Sequence, residues 1–125
     1  MVEGMPRVWL RLEGLAILLM SILLYALQHQ GWLLFAVLFF APDLSIAGYL
    51  AGPGAGSLLY NVAHSYVIPA LLAGLGLVWA SPLVVALALI WTAHIGFDRF
   101  LGYGLKYPGS FKETHLGRLG PGRGA

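Results

Sequence analysis

The sequence has no cysteine and very little charge. Only 10% of its 125 residues are Asp, Glu, Lys or Arg, whereas 59% are hydrophobic. Soluble domains carry about 25% charged and about 45–50% apolar residues, and a small soluble domain keeps a large share of its surface in water. The low charge therefore excludes a soluble domain and a disordered segment, and the absence of cysteine excludes a disulfide-stapled secreted module. The class that remains is an integral membrane protein.

Four apolar runs are each long enough to cross a bilayer, which requires about 20 helical residues. We place four spans at about residues 8–28, 32–50, 57–79 and 82–107, with the second span interrupted by Pro42-Asp43, and a polar tail at 109–125. The Gly- and Pro-rich cluster at 52–56 is expected to form a turn, and Pro82 is expected to begin the fourth helix. Short links between successive helices predict an all-α, up-down-up-down four-helix bundle that forms a single domain.

The basic residues lie at the two ends of the chain. None of the three links between spans contains Lys or Arg, and the seven basic residues are Arg7, Arg11, Arg99, Lys106, Lys112, Arg118 and Arg123. Because cytoplasmic loops carry an excess of Lys and Arg, this pattern predicts that both termini lie in the cytoplasm. The net charge of +2 then reflects membrane orientation. Membrane lipids are the expected surroundings, and no nucleic-acid partner is expected.

Five further ionisable residues interrupt the apolar spans: Glu13, Asp43, His64, His94 and Asp98. Each charged group inside a membrane helix costs roughly 2.5–3.5 kcal/mol on insertion scales, so each needs a physical reason. Because odd spans begin and even spans end on the same side, all five are predicted in the cytoplasmic half of the bundle. Their depth is on the order of 10 Å from that boundary. Glu13 is expected to pair with Arg11 or Arg99 rather than bind a metal.

The remaining four residues have the chemistry of a metal site. His94 and Asp98 are four residues apart and share one helix face. Imidazole nitrogen and carboxylate oxygen suit zinc, manganese or iron, and the missing cysteine disfavours a thiolate site. We therefore interpret four residues as ligands of one divalent ion, with zinc preferred: Asp43, His64, His94 and Asp98. Asn61, Ser65 and Tyr60 are expected to orient these ligands or to polarise a substrate.

Four segments carry a resemblance to a known family: Ala-Pro-Asp-Leu at 41–44, Tyr-Asn-Val-Ala-His-Ser-Tyr at 60–66, His-Ile-Gly-Phe-Asp-Arg at 94–99, and the stretch 102–117 that begins Gly-Tyr-Gly-Leu-Lys-Tyr-Pro. Together they resemble a small family of bacterial membrane proteins catalogued only as domain of unknown function 4260. The family has no established activity. The resemblance implies a multi-pass protein of the bacterial inner membrane.

A more distant resemblance rests on paired residues: Pro42 with Asp43, His64 with Ser65, His94 with Asp98, and Gly104 with Pro108. These pairs resemble elements of inner-membrane metal-dependent hydrolases of the LexA-regulated type. The resemblance implies the same four metal ligands and a hydrolase that acts on a lipid or another amphiphile. That pattern has further Asp-His and His-Arg pairs where this chain has Ser45-Ile46 and Leu59-Tyr60.

The polar tail is the expected source of further site residues. Pro108-Gly109 predicts a turn after the fourth span, and Phe111 gives the tail an apolar anchor. The tail is therefore predicted to fold back as a lid over the cytoplasmic face. Glu113 or His115 would then reach the mouth of the site as a ligand, a general base or a partner of a ligand.

Other functions remain open at this stage. One alternative is a non-catalytic carrier, and another is a membrane subunit that binds a metal or haem, with His64 and His94 as axial haem ligands. In a third interpretation, the polar residues form a hydrogen-bond network that only fixes helix register. Gly74 and Gly76 offer a small-residue face for a homodimer.

Overall fold

The computed structural model describes residues 4–105 and 113–118, and most of these residues are helical. The elements are α1 (Gly4–Gln28), α2 (Trp32–Leu38), a 3-10 helix (Ala41–Ala51), α3 (Pro53–His64), α4 (Val67–Val78), α5 (Pro82–Leu101), β1 (Glu113–Thr114) and β2 (Gly117–Arg118). Four helical segments are long and apolar enough to cross a membrane: Gly4–Gln28, Trp32–Ala51, Pro53–Val78 and Pro82–Leu101. The predicted all-α architecture with four spans is confirmed.

The second and third spans are each broken by a proline. In a helix, a proline ring clashes with the carbonyl group four residues earlier. Pro42 is four residues after Leu38, where α2 ends, and Pro69 is four residues after Ser65, where the backbone is extended between α3 and α4. The third span, predicted at about residues 57–79, is a single membrane-crossing segment that divides into two helices at Ser65 and Tyr66.

Two helix ends also differ from the predicted boundaries. The third span begins at Pro53 instead of residue 57, because Gly52 alone makes the turn with a φ of 113° and proline is tolerated in the first helical turn. The fourth helix ends at Leu101 instead of near Tyr107. Gly102 adopts a left-handed conformation (φ 92°), and the N–H of Tyr103 donates to the carbonyl oxygen of Asp98 at 2.7 Å.

Helix α5 is the centre of the bundle. It packs against both α1 and α4, and nine of its twenty residues are buried. Glycines permit the close approach of α1: a Cβ atom added at Gly96 would lie 2.7 Å from the carbonyl oxygen of Gly14. Such contacts between small residues are typical of helix pairs in membranes. The 3-10 helix packs against α3, which brings the two broken spans together.

The glycines proposed for a dimer face have different surroundings. A Cβ atom at Gly76 would lie 2.8 Å from Cγ2 of Val85, so this glycine already serves the contact between α4 and α5. A Cβ atom at Gly74 would meet nothing within 4 Å. The homodimer stays a prediction, and Gly74 is the residue of the pair that remains available to a second chain.

Residues 113–118 form a short antiparallel hairpin near the start of α1. Thr114 and Leu116 are fully buried, and Arg7 donates from Nε to the carbonyl oxygen of Leu116. The backbone N–H of His115 donates to the carbonyl oxygen of Leu105 at 2.9 Å. The predicted turn at Pro108-Gly109 and the anchor at Phe111 lie outside the described residues.

Candidate metal centre

Four side chains from three spans converge at one point of the bundle. Asp43 is the third residue of the 3-10 helix, just after the break in the second span. His64 is the last residue of α3, directly before the break in the third span. His94 and Asp98 lie one turn apart on α5. One ligand atom of each of these four residues lies within 4.8 Å of the other three, a group that could hold a metal ion.

The separations within this group are short and nearly equal. Nε2 of His64 lies 3.1 Å from Oδ1 of Asp43 and 3.4 Å from Oδ2 of Asp98. Nε2 of His94 lies 3.2 Å and 3.3 Å from the same two oxygens. The two Nε2 atoms are 3.2 Å apart. Five of the six pairwise separations therefore fall between 3.1 and 3.4 Å.

These five separations are close to the edge lengths of a tetrahedral coordination sphere. Zinc binds imidazole nitrogen and carboxylate oxygen at about 2.0–2.2 Å, and the edges of a regular tetrahedron with such bonds are about 3.3–3.6 Å long. Hydrogen bonds alone do not account for the group, because each Nε2 atom carries at most one proton and faces three polar atoms. A single cation at the centre would interact favourably with all four atoms at once.

The orientation of His64 is fixed by Tyr60, one helical turn earlier. Nδ1 of His64 lies 2.9 Å from the carbonyl oxygen of Tyr60, and the two rings stack with centroids 3.8 Å apart. Donation of the Nδ1 proton to this carbonyl group leaves a lone pair on Nε2, which is the form that binds a metal. The 3.6-residue period of the helix places residue 60 in this position, and Tyr60 is one of the residues that the sequence predicts to orient a ligand.

Arg99 stabilises the helix end that carries His64. Its Nη2 donates to the carbonyl oxygen of His64 at 3.0 Å, and its guanidinium carbon lies 5.8 Å from the centroid of the Tyr66 ring. The carbonyl groups at a helix C-terminus lack partners within the helix and attract positive charge. Arg99 therefore caps the break in the third span, a role that no local sequence pattern indicates because the two residues belong to different spans.

The four ligating groups differ strongly in exposure. The side chains of His64 and His94 are 1% and 2% exposed and that of Asp98 is 10% exposed, whereas that of Asp43 is 41% exposed. The three buried groups form the floor of the site, and Asp43 forms its rim. Access to the centre from outside the protein therefore passes Asp43.

An apolar cavity of about 290 Å³ adjoins this rim. Its lining comes from the two ends of the break in the second span, from the end of α3 and from α5: Leu38, Ala41, Pro42, Ser45, Ala63, Leu87, Ile90 and Trp91. Pro42 and Ala63 directly precede the candidate ligands Asp43 and His64 in the chain. The cavity and the metal centre are therefore neighbours.

Of the polar residues predicted to assist the ligands, Ser65 has a backbone partner. Ser65 accepts a hydrogen bond from the N–H of Val67 at 3.1 Å and so caps the start of α4. Asn61 lies half-buried on α3, three residues before His64. Their predicted roles in orienting the ligands or a substrate stay predictions.

His115 does not belong to the four-residue group found among the described residues. Nδ1 of His115 accepts a hydrogen bond from the N–H of Leu105 at 2.8 Å. Burial lowers the pKa of His115 to about 4, and the positive charge of Arg99 acts in the same direction. His115 is therefore neutral at physiological pH. The side chain of Glu113 lies outside the part of the chain that the structure describes, and the lid function of the tail stays a prediction.

Glu13 does not belong to the four-residue group, as expected from the sequence. Glu13 is exposed. Its two expected partners, Arg11 and Arg99, donate to the carbonyl oxygens of Phe100 and His64 respectively.

The geometry also bears on haem binding. The Nε2 atoms of His64 and His94 are only 3.2 Å apart, which leaves no room for a porphyrin plane between them. Axial ligation of haem by His64 and His94 is incompatible with this arrangement.

Comparison with known proteins gives a family but no activity. The profile of the family described as "Domain of unknown function (DUF4260)" matches residues 7–119, a range that includes all four converging side chains. No curated protein and no solved structure matches the chain.

Proposed function

The chain belongs to the DUF4260 family, and we propose that its bundle holds one divalent metal ion between the four converging side chains. Zinc is preferred over manganese or iron. We further propose that this centre hydrolyses a lipid or another amphiphile. The observation that carries the proposal is the set of five separations of 3.1–3.4 Å among two imidazole nitrogens and two carboxylate oxygens.

The uneven exposure of the ligands supports a catalytic use of the metal. Catalytic zinc sites have three protein ligands and keep one position for water or substrate, whereas structural sites are closed by four. His64, His94 and Asp98 make up a buried set of two imidazoles and one carboxylate. Asp43, at the exposed rim, is the group best placed to leave the metal or to accept a proton from water. Zinc in such a site lowers the pKa of bound water and polarises an ester or phosphoryl oxygen.

Hydrolysis should depend on the metal and on Asp43. In detergent-purified, zinc-loaded protein, we expect hydrolysis of a long-chain ester or phosphoester that chelation abolishes and added zinc restores. Asp43→Asn should retain much of the zinc but lower the rate at least about a hundredfold, the usual range for loss of a general base. The measurement is product release beside a zinc assay on the same sample.

The controls distinguish the proposed metal binding from the proposed hydrolysis. Leu71→Ala, which alters an exposed apolar residue of α4, should match wild type in both assays. If zinc binds but no ester or phosphoester amphiphile is cleaved, the protein is a non-catalytic metal-binding membrane protein. The complete set of four protein ligands favours this second candidate.

We also propose that both termini lie in the cytoplasm of a bacterial inner membrane, on the basis of the Lys and Arg distribution. Since the chain has no cysteine, a single introduced cysteine labels one defined position. Cysteine at Gly54 should react with a membrane-impermeant maleimide only from the cytoplasmic side, and cysteine at Gln30 only from the opposite side. A Cβ atom at Gly54 would meet nothing within 4 Å, so this variant should fold normally. Reversed labelling would overturn the orientation.

A further inference from the structure

The apolar cavity beside Asp43 has a defined direction relative to the metal centre. Along α5, its lining residues Leu87, Ile90 and Trp91 precede His94 by seven, four and three residues. At 1.5 Å per residue, the cavity extends roughly 10 Å from the level of His94 toward the start of α5. His94 itself lies seven residues before Leu101, the end of this span. Trp91 and Ile90 lie at the middle of α5, and Leu87 lies beyond it. The cavity therefore extends from the metal centre through the middle of the bilayer.

The lining has no side-chain donor left for a polar ligand. Ser45 donates its hydroxyl proton to the carbonyl oxygen of Pro42 at 2.8 Å, and Trp91 donates from Nε1 to the carbonyl oxygen of Ala63 at 2.5 Å. The other lining side chains are aliphatic. A sugar, a peptide backbone or an ion would lose its hydrogen bonds to water on entering and gain none in return. The cavity is suited to hydrocarbon.

The cavity is large enough for a segment of an alkyl chain. Its volume is about 290 Å³, and an apolar protein cavity of about 150 Å³ takes up benzene. One part of the lining, Ala41, is exposed, so the cavity meets the surface within a membrane-crossing segment. The medium at that surface is lipid hydrocarbon, so a chain can enter sideways from the bilayer.

We propose that this cavity binds one alkyl chain of a membrane amphiphile and thereby holds its polar group at Asp43 and the metal centre. A lipid in the leaflet on the side where α5 ends has this arrangement, with its head near the boundary and its chain toward the midplane. The inference rests on the proposed function and names its substrate class as an acyl-chain amphiphile that is delivered from the membrane.

Fluorescence of Trp91 tests the proposal without any activity assay. The other three tryptophans, Trp9, Trp32 and Trp79, are exposed and are replaced by phenylalanine. The full-length protein in detergent is then titrated with a fatty acid brominated in mid-chain, because bromine quenches a tryptophan that it contacts. We expect saturable quenching of Trp91 that weakens when the brominated chain is shortened.

Filling the cavity should remove this binding. Ala63→Phe should weaken the apparent affinity at least about tenfold, the effect of losing roughly two buried methylene contacts. Ala41→Phe, at the exposed part of the lining, is a second variant that leaves the helix contacts of α3 unchanged. Leu71→Phe is the matched control on exposed α4 surface and should quench as the parent does.

The zinc content of each sample separates this inference from the metal proposal. Quenching that rises linearly, or that is equal in the cavity variants and the control, overturns the alkyl-chain site even where zinc is bound normally. Saturable quenching in a protein that binds no zinc supports the chain site and contradicts the metal centre. Quenching by a bromoalkane without a polar group, at the same affinity as the fatty acid, would overturn the part of the inference that places the polar group at the centre.

Discussion

Purified wild-type protein should carry close to one zinc ion per chain, and His94→Ala should carry almost none. His94 supplies one of four atoms that lie within 4.8 Å of one another, and its loss leaves three ligands with a gap on the buried side. Changes in residues that only orient a ligand already cost about 10–100-fold in metal affinity, so we expect a larger loss for the ligand itself. Elemental analysis of the detergent-purified protein measures the effect.

The same experiment ranks the other ligands. Asp98→Ala should remove the metal as completely as His94→Ala, because both side chains are buried on α5. Asp43→Ala should leave more zinc bound, since Asp43 lies at the exposed rim. Equal metal content in all of these variants and in wild type would contradict the metal proposal.

Suitable controls change a histidine or a carboxylate outside the group. His29→Asn alters an exposed residue with a φ of 55°, a conformation that asparagine tolerates. Glu13→Gln removes an exposed carboxylate in α1. Both should bind zinc as wild type does. If only a hydrogen-bond network joined the four side chains, wild type would carry no zinc and a chelator would leave its melting temperature unchanged.

The residues of the candidate site could be predicted because a membrane makes polar side chains costly. In a chain with so few charged residues, each ionisable group within an apolar run is informative. The alternating direction of the spans then placed Asp43, His64, His94 and Asp98 at one depth, and their side chains do converge in the structure. Depth along a helix is fixed by residue number, whereas the direction in which a side chain points is not.

The break in the third span, at Pro69, was harder to predict than the interruption of the second span at Pro42. Pro42 and Pro69 are visible in the sequence, but a proline in a membrane helix is compatible with a kink, a break or a continued helix, because neighbouring helices can satisfy the freed backbone groups. The outcome here depends on Arg99, which bonds to the carbonyl oxygen of His64 from another span. Such a contact between residues distant in sequence is not encoded in any local pattern.

The largest effect on stability is expected at the contact between α1 and α5. A Cβ atom at Gly96 would lie 2.7 Å from the carbonyl oxygen of Gly14 and 2.9 Å from the backbone nitrogen of Leu18. Both neighbours are backbone atoms of a helix, so the helices themselves must move apart. We expect Gly96→Ala to lower the free energy of unfolding by about 1–3 kcal/mol, the usual cost of overpacking, and Gly96→Leu to prevent folding.

Gly74→Ala is the matched control within the same chain. Gly74 lies in α4, and a Cβ atom there would meet nothing within 4 Å. Alanine is favoured over glycine in a helix by up to about 1 kcal/mol, so this variant should be as stable as wild type or more so. Thermal unfolding in detergent measures both variants. A Gly96→Ala variant no less stable than Gly74→Ala would contradict the close packing of α1 on α5.

Metal content of the folded fraction distinguishes which side of α5 is disturbed. A Cβ atom at Gly14 would lie 2.4 Å from Cβ of Arg99, whereas one at Gly76 would lie 2.8 Å from Cγ2 of Val85. Arg99 follows Asp98 in the chain and bonds to the carbonyl oxygen of His64, so Gly14→Ala should lower both stability and zinc content. Val85 lies nine residues before His94, about 13 Å along the helix. Gly76→Ala should therefore destabilise the protein but leave the zinc content of the folded molecules unchanged, because the disturbance does not reach the side chains that hold the metal.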